Sequence, residues 1–113
     1  MSESPITAVE RLLSETEDAD DVLRGTVTAL VADPGLVWAG IDFLEDGALS
    51  PGPSAGTPDE KRRASVPILF QSRLVGELRV DGAADRAALE RIAALIAPHV
   101  LIGWDTGGEA WEP

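Results

Sequence analysis

Three stretches of this chain alternate apolar and polar residues with a period of two. In residues 37–44, Val37, Ala39, Ile41 and Phe43 fall on one side and Trp38, Gly40, Asp42 and Leu44 on the other. Residues 63–70 set Ala64, Val66, Ile68 and Phe70 against Arg63, Ser65, Pro67 and Leu69. Residues 74–81 set Leu74, Gly76, Leu78 and Val80 against Val75, Glu77, Arg79 and Asp81. Such alternation predicts antiparallel strands with one face in a core. Helical spacing frames them. Ile6, Val9, Leu12 and Leu13 predict a helix over about 5–15, with Pro5 at its start. Val22, Leu23, Val27, Leu30 and Val31 predict a second over about 20–32, with Asp18 or Asp20 as N-cap and Asp33-Pro34-Gly35 as terminator. Gly25 inside it costs about 1 kcal/mol relative to Ala, which packing must offset.

Asp46-Gly47 predicts a tight hairpin after the first strand. The returning strand, near 48–50, is expected to stop at Pro51-Gly52-Pro53, because proline removes ladder donors; residues 50–61 then read as loop. Strands 62–70 and 74–81 form a hairpin about Gln71-Ser72-Arg73. A long helix follows Gly82, with Asp85 expected in its first turn and Leu89, Ile92, Ala93, Ile96 and Val100 as its core stripe. At Pro98 the helix either kinks or ends, and the kink is favoured. Trp104 and Trp111 suggest that the tail, 103–113, docks on the body. Two helices, four strands and a helix make an α+β layer in which the helices cover one sheet face. The opposite face gathers Trp38, Asp42, Arg63, Ser65, Glu77, Arg79 and Asp81.

Composition narrows the chemistry. A chain of 113 residues suits a single domain with a core about 18–102. It has no cysteine, which removes disulfides, thiolate metal sites and cysteine nucleophiles. The net charge of −11 opposes binding to nucleic acid or to an anionic membrane. No basic-then-apolar leader and no membrane-length apolar run is visible, so a cytoplasmic location is expected.

The remaining candidates are thin. His99, the one histidine, reads as a surface residue, since no serine sits in a nucleophile context. The acidic run from Glu15 to Asp21 fails a calcium-loop pattern, because Val22 and Leu23 fall where an oxygen ligand and a glycine belong; it reads as a helix-start charge cluster. No catalytic residue, metal ligand or cofactor is assigned. For the polar face three readings stand: a solvated surface laced with cross-strand ion pairs, a ligand site, or a protein-contact face. The last helix also carries a second stripe, Ala88, Leu95, His99 and Ile102, covered either by the first helix or by a second copy of the chain.

Ser65-Val66-Pro67-Ile68-Leu69, then residues 74–81 and the helix with Asp85, Leu89, Ile92 and Ala93, resemble the C-terminal half of a GAF domain, the small-molecule sensing fold. Trp38-Ala39-Gly40-Ile41-Asp42-Phe43-Leu44, with Leu49-Ser50-Pro51-Gly52-Pro53 and Gly56-Thr57-Pro58, resembles the branch that contains free methionine-R-sulfoxide reductase. The resemblance covers about residues 18–102 and implies an antiparallel sheet of four to five strands with helices on one face and the pocket on the other. Those reductases work through cysteine thiolates, which this chain lacks. Their pocket lid falls in a long stretch that residues 56–63 replace here. Matched position by position, Trp38 and Asp81 are kept, while Asp42 stands for a tyrosine, Arg63 for a glutamate and Arg79 for an aspartate. The resemblance thus implies a non-catalytic small-molecule-binding or sensory module, with Trp38, Asp42, Arg63, Ser65, Arg79 and Asp81 as ligand residues. A small anionic ligand held by paired arginine forks is the expected class. The resemblance also implies a homodimer through the terminal helices. The alternative is an interaction or dimerisation domain with a vestigial pocket.

Overall fold

A computed structural model describes residues 4–16 and 18–105, with only the backbone given for 102–105. Helix α1 is Pro5–Glu15, and the Ser4 hydroxyl caps it by accepting the Thr7 N–H at 3.2 Å. Helix α2 is Ala19–Val31, capped by Asp18, whose carboxylate accepts the Asp21 N–H at 3.1 Å. Strands β1 (Leu36–Glu45), β2 (Ala48–Gly56), β3 (Arg63–Phe70) and β4 (Arg73–Gly82) follow, with one 3-10 turn, Glu60–Arg62, before β3. Helix α3, Arg86–Asp105, closes the order.

The strands form one antiparallel sheet in the order β2-β1-β4-β3. Helix α2 lies over β1 and β2, α3 lies mainly over β3, and α1 packs on α2 and more lightly on α3. The core sits between these layers. Leu23, Val27 and Leu30 from α2 and Ile92, Ile96 and Val100 from α3 meet Ile41, Phe43, Val66, Ile68, Leu78 and Val80 from the sheet, all essentially solvent-free. These are apolar positions of the alternating stretches, so the period-two pattern specified which side faces inward, except at the start of β4, where Leu74, expected inward, is exposed and Val75, expected outward, joins the core.

Three expectations need correction, and one alternative left open is decided. Strand β2 does not stop at the prolines but runs to Gly56, so the loop is only 57–62. It can do so because β2 is an edge strand and its pairing with β1 is irregular between Gly40 and Asp42, where Pro51 sits opposite Asp42. An edge tolerates proline because half its donors have no partner to lose. Asp85 is not in the first turn of α3 but just ahead of it, where its carboxylate accepts the Ala87 N–H at 3.1 Å and its carbonyl accepts the Leu89 N–H at 3.0 Å. At Pro98 the reading in which the helix ends does not hold: helix α3 continues through it, with Ala97 and Val100 on either side in the core. It also runs two residues past the expected start of the tail; residues 106–113 and the Trp104 and Trp111 side chains lie outside what is described.

The second α3 stripe is partly covered within the chain. Ala88, Leu95 and His99 are half-buried, Val9 of α1 is fully buried, and Arg91 Nη2 pairs with Glu10 Oε2 at 3.2 Å across the two helices. No helix among the described residues is long and apolar enough to cross a membrane.

Candidate functional site on the outer sheet face

The helices pack on one side of the sheet, so the outward side chains of β1, β4 and β3 line the other face, where, among the described residues, the 57–62 loop reaches Asp81 at one end. Strand register sets those side chains in rows. Trp38 stands opposite Asp81, and Asp81 opposite Arg63. Gly40, Arg79 and Ser65 form the next row, and Asp42, Glu77 and Pro67 the one after.

The first row is built around a buried charge. Asp81 is wholly inaccessible to solvent although it points to the outer side. Arg63 grips it with a two-bond fork, Nε to Oδ1 at 2.8 Å and Nη2 to Oδ2 at 3.0 Å. The Asp59 N–H donates to Oδ2 at 2.7 Å, which ties the short loop down over this end of the face. The hydrogen bonds from Arg63 hold the Asp81 carboxyl below the usual carboxylate range; burial opposes them, and the Asp59 N–H adds to them. The same bonds raise the Arg63 guanidinium above its ordinary value. Glu60 adds a looser ion pair, 3.5 Å from Arg63 Nη1.

Trp38 lies on the strand rather than standing out from it. A Cβ added at Gly40 would sit 2.5 Å from Trp38 Cη2, so the ring occupies the space above that glycine. The Arg63 guanidinium carbon is 4.5 Å from the ring centroid, a cation–π contact. The indole therefore finds its cover on Gly40 and Arg63, with no ligand needed.

The second cluster centres on Arg79. Its Nη2 meets Asp42 Oδ2 at 2.9 Å and its Nε meets Glu77 Oε1 at 2.7 Å. Burial pushes the Asp42 carboxyl above the ordinary value; Arg79 opposes the shift and Glu77 adds to it. Ser65 is exposed beside Arg79, and its carbonyl accepts a long 3.5 Å bond from Arg86 Nη1.

Five of the six residues read from sequence thus fall into two adjoining ion-pair clusters, with Ser65 at their margin. Four contributors were missed, among them Glu60, which pairs loosely with Arg63. Glu77 had been placed on the face but not in the site. Gly40 was legible as a bed for Trp38, since positions two apart share a face. Asp59 lies in the loop, and no pattern pointed to its N–H. Both guanidinium groups are already engaged by protein carboxylates, and four acids (Asp42, Glu60, Glu77, Asp81) surround two arginines. The face is no basic patch.

Elsewhere, oxygens of Asp18, Asp20 and Asp21 come within 4.8 Å of one another, all exposed. Asp18 caps α2 and Asp20 accepts from Arg24 Nε at 2.7 Å, the work of a helix start. His99 is half-buried, its Nδ1 unbonded among the described residues, and burial lowers its pKa.

No protein-family model matches the sequence, and no curated protein resembles it at a significant level. Solved structures do resemble the fold. The GAF domain of an Acinetobacter phosphoenolpyruvate-protein phosphotransferase superposes with a TM-score of 0.71 at 13% identity, covering 96% of this chain and 100% of that one. A candidate GAF sensor protein from Burkholderia vietnamiensis also scores 0.71, at 18% identity over 93% of this chain and 96% of its own. Free methionine-R-sulfoxide reductase from Neisseria meningitidis, solved with its substrate, scores 0.68 at 13% identity over 91% and 95%. At such identities the likeness speaks for architecture alone. The helices on one face, the four antiparallel strands and these superpositions together establish that the chain has the GAF fold.

Proposed function

We propose that this chain is a non-catalytic sensory or signalling module that recognises a small ligand on the outer sheet face beside Trp38. The observation that carries the reading is Asp81. A solvent-inaccessible carboxylate paired with Arg63 on the otherwise open side of a sheet holds the fold no better than a well-packed apolar pair of like volume would, although breaking the pair is costly. What it does is fix Arg63 against the indole and pin the 57–62 loop at the rim. Such prearrangement suits recognition. The surplus of carboxylates favours a ligand that presents hydrogen-bond donors or a positive group, rather than the anion expected from the arginines alone. Without cysteine the thiolate chemistry of the sulfoxide reductases has no nucleophile here, and no other set combines nucleophile, base and oxyanion donors. We take the module to be a homodimer through its terminal helices.

A second reading is favoured by one observation: the network is closed on itself, with every charge on it paired. The face would then serve as a protein-contact surface. Thermal-shift screening against a metabolite set, with wild type beside Trp38→Ala and Arg79→Ala, separates the two. A ligand at a hundredfold excess over Kd stabilises by about 2.7 kcal/mol, a readily seen shift in wild type that both variants lose. Silence from every compound, or variants that respond like wild type, leaves only the contact surface. Turnover of free methionine sulfoxide is expected to be nil.

A further inference from the structure

Arg63 brings its guanidinium to three partners at once. It meets Asp81 through Nε at 2.8 Å and Nη2 at 3.0 Å, lies 4.5 Å from the centroid of the Trp38 ring, and holds Glu60 at 3.5 Å from Nη1. A carboxylate edge that accepts two parallel N–H bonds, set beside an aromatic face, is the arrangement that recognises a planar delocalised cation. An ammonium has no fork to match it. Both walls of this seat are positioned by contacts other than Arg63. Trp38 and Asp81 stand opposite each other on the two central strands, β1 and β4. The indole rests over Gly40, and the Asp59 N–H holds Asp81 Oδ2 at 2.7 Å. Arg63 instead comes from the edge strand β3, as its first residue. The second cluster is built differently: Arg79 gives one bond each to two separate carboxylates, Asp42 and Glu77, both partly exposed.

We propose that Arg63 is the resident occupant of a cation seat made by Trp38 and Asp81, and that the ligand of this face is a small guanidinium or amidinium compound that takes its place. The inference rests on the reading that the face recognises a small ligand; it adds the ligand's class and the event that admits it. The exposure of the three charged groups sets the direction of exchange. The Asp81 side chain is inaccessible, Arg63 is 24% exposed and Glu60 80% exposed. A guanidinium that leaves the seat therefore has a carboxylate to receive it at the rim, and the exchange asks only for rotation of a side chain. Asp81 cannot stay unpaired, because a buried carboxylate without its cation is costly. The incoming cation meets that demand, so Arg63 leaves only as another cation arrives. Free protein is thereby self-occupied, and the seat discriminates against cations too weak to displace its own arginine.

Methylguanidinium is the probe, titrated at constant ionic strength into wild type and Arg63→Ala and followed by Tm and by the Asp59 amide resonance, which reports on Asp81. The expected result is a response in Arg63→Ala at a concentration at least about tenfold below that needed in wild type, since wild type is competent only when Arg63 has left the seat. Methylammonium should act more weakly, and Asp81→Asn in the Arg63→Ala background should abolish the response. Arg24→Ala, which removes an exposed arginine from α2, should gain none. If Arg63→Ala does not fold, Arg63→Lys keeps a charge against Asp81 without the fork, and the same order is expected of it. A variant that responds no better than wild type overturns the proposal. So does a response that survives Asp81→Asn or that methylammonium matches. A metabolite that shifts wild type but not Trp38→Ala, with Arg63→Ala blind to methylguanidinium, leaves the face a ligand site and removes the seat. Binding of methylguanidinium by Arg63→Ala while wild type ignores every metabolite supports the seat and counts against the sensory reading alone.

Discussion

Asp81 and Asp42 sit on the same face, on adjacent strands, yet their carboxyls are displaced in opposite directions, and the signs make different demands on stability. Asp81 is held below its unfolded value by the Arg63 bonds. Its contribution is therefore fully present above the unfolded pKa and is lost as pH falls from that value through the lower folded one. Asp42 is raised by burial. The folded state holds its proton more tightly, so its contribution is present at acid pH and is lost as pH rises through the folded value; at neutral pH its charge costs stability. Asp81→Asn should therefore destabilise at pH 7 by about 2 kcal/mol, the loss of charge-assisted bonds. That penalty should shrink as the medium becomes acid. Asp42→Asn should be neutral or stabilising at pH 7, with any benefit fading toward acid pH. Denaturation of both variants across pH 2–8 is the measurement. Equal penalties at pH 7 would show that the two carboxyls do not differ as argued.

Both hairpins use two-residue turns with positive φ at each central position, but the residues differ. Asp46 (φ 49°) and Gly47 (φ 82°) are the types such a turn prefers; Gln71 (φ 51°) and Ser72 (φ 66°) are not. A side chain in the left-handed region costs roughly 1 kcal/mol, so Gln71→Asn with Ser72→Gly should stabilise the chain by about 1 kcal/mol. For a domain near this size that raises Tm by roughly 4–8 °C. An unchanged or lower Tm would mean that Gln71 and Ser72 make compensating contacts. Turn chemistry also marks how far the sequence was legible. Asp46-Gly47 announced its hairpin, and alternation placed β1, β3 and β4 and told inside from outside. Strand β2 was hidden because Pro51 and Pro53 are prohibitive in a central strand and harmless on an edge, and strand order is a long-range fact. The candidate site was legible as a set of residues on one face. Its pairing was not, because Arg63 and Asp81 are 18 positions apart and meet only once β3 and β4 adopt their register. Nor was the burial of Asp81, which depends on the Asp59 N–H closing over it.

At the scale of the whole molecule, the sheet and the helices offer different routes to a second copy. The sheet has two edges, β2 and β3, and each carries proline: Pro51 and Pro53 on one, Pro67 on the other. Missing donors there oppose sheet extension. The helical side is the more receptive. Between α1 and α2 runs an open groove of about 490 Å³ walled by Ala8, Leu12, Gly25, Thr28, Ala29 and Ala32 with Arg11 and Arg24 also lining it, and α1 leaves the second α3 stripe only half-covered. Each copy carries a net charge of −11, so association has to overcome mutual repulsion. Salt screens that repulsion, with a Debye length of about 30 Å at 0.01 M and about 3 Å at 1 M, and leaves apolar contact intact or strengthened. A dimer formed through these helices should therefore tighten as salt is added, the reverse of one held by ion pairs. Equilibrium sedimentation at low and high salt decides it. A dimer fraction that grows with salt supports the helical interface, one that shrinks points to an ionic contact elsewhere, and monomer under both conditions excludes the dimer.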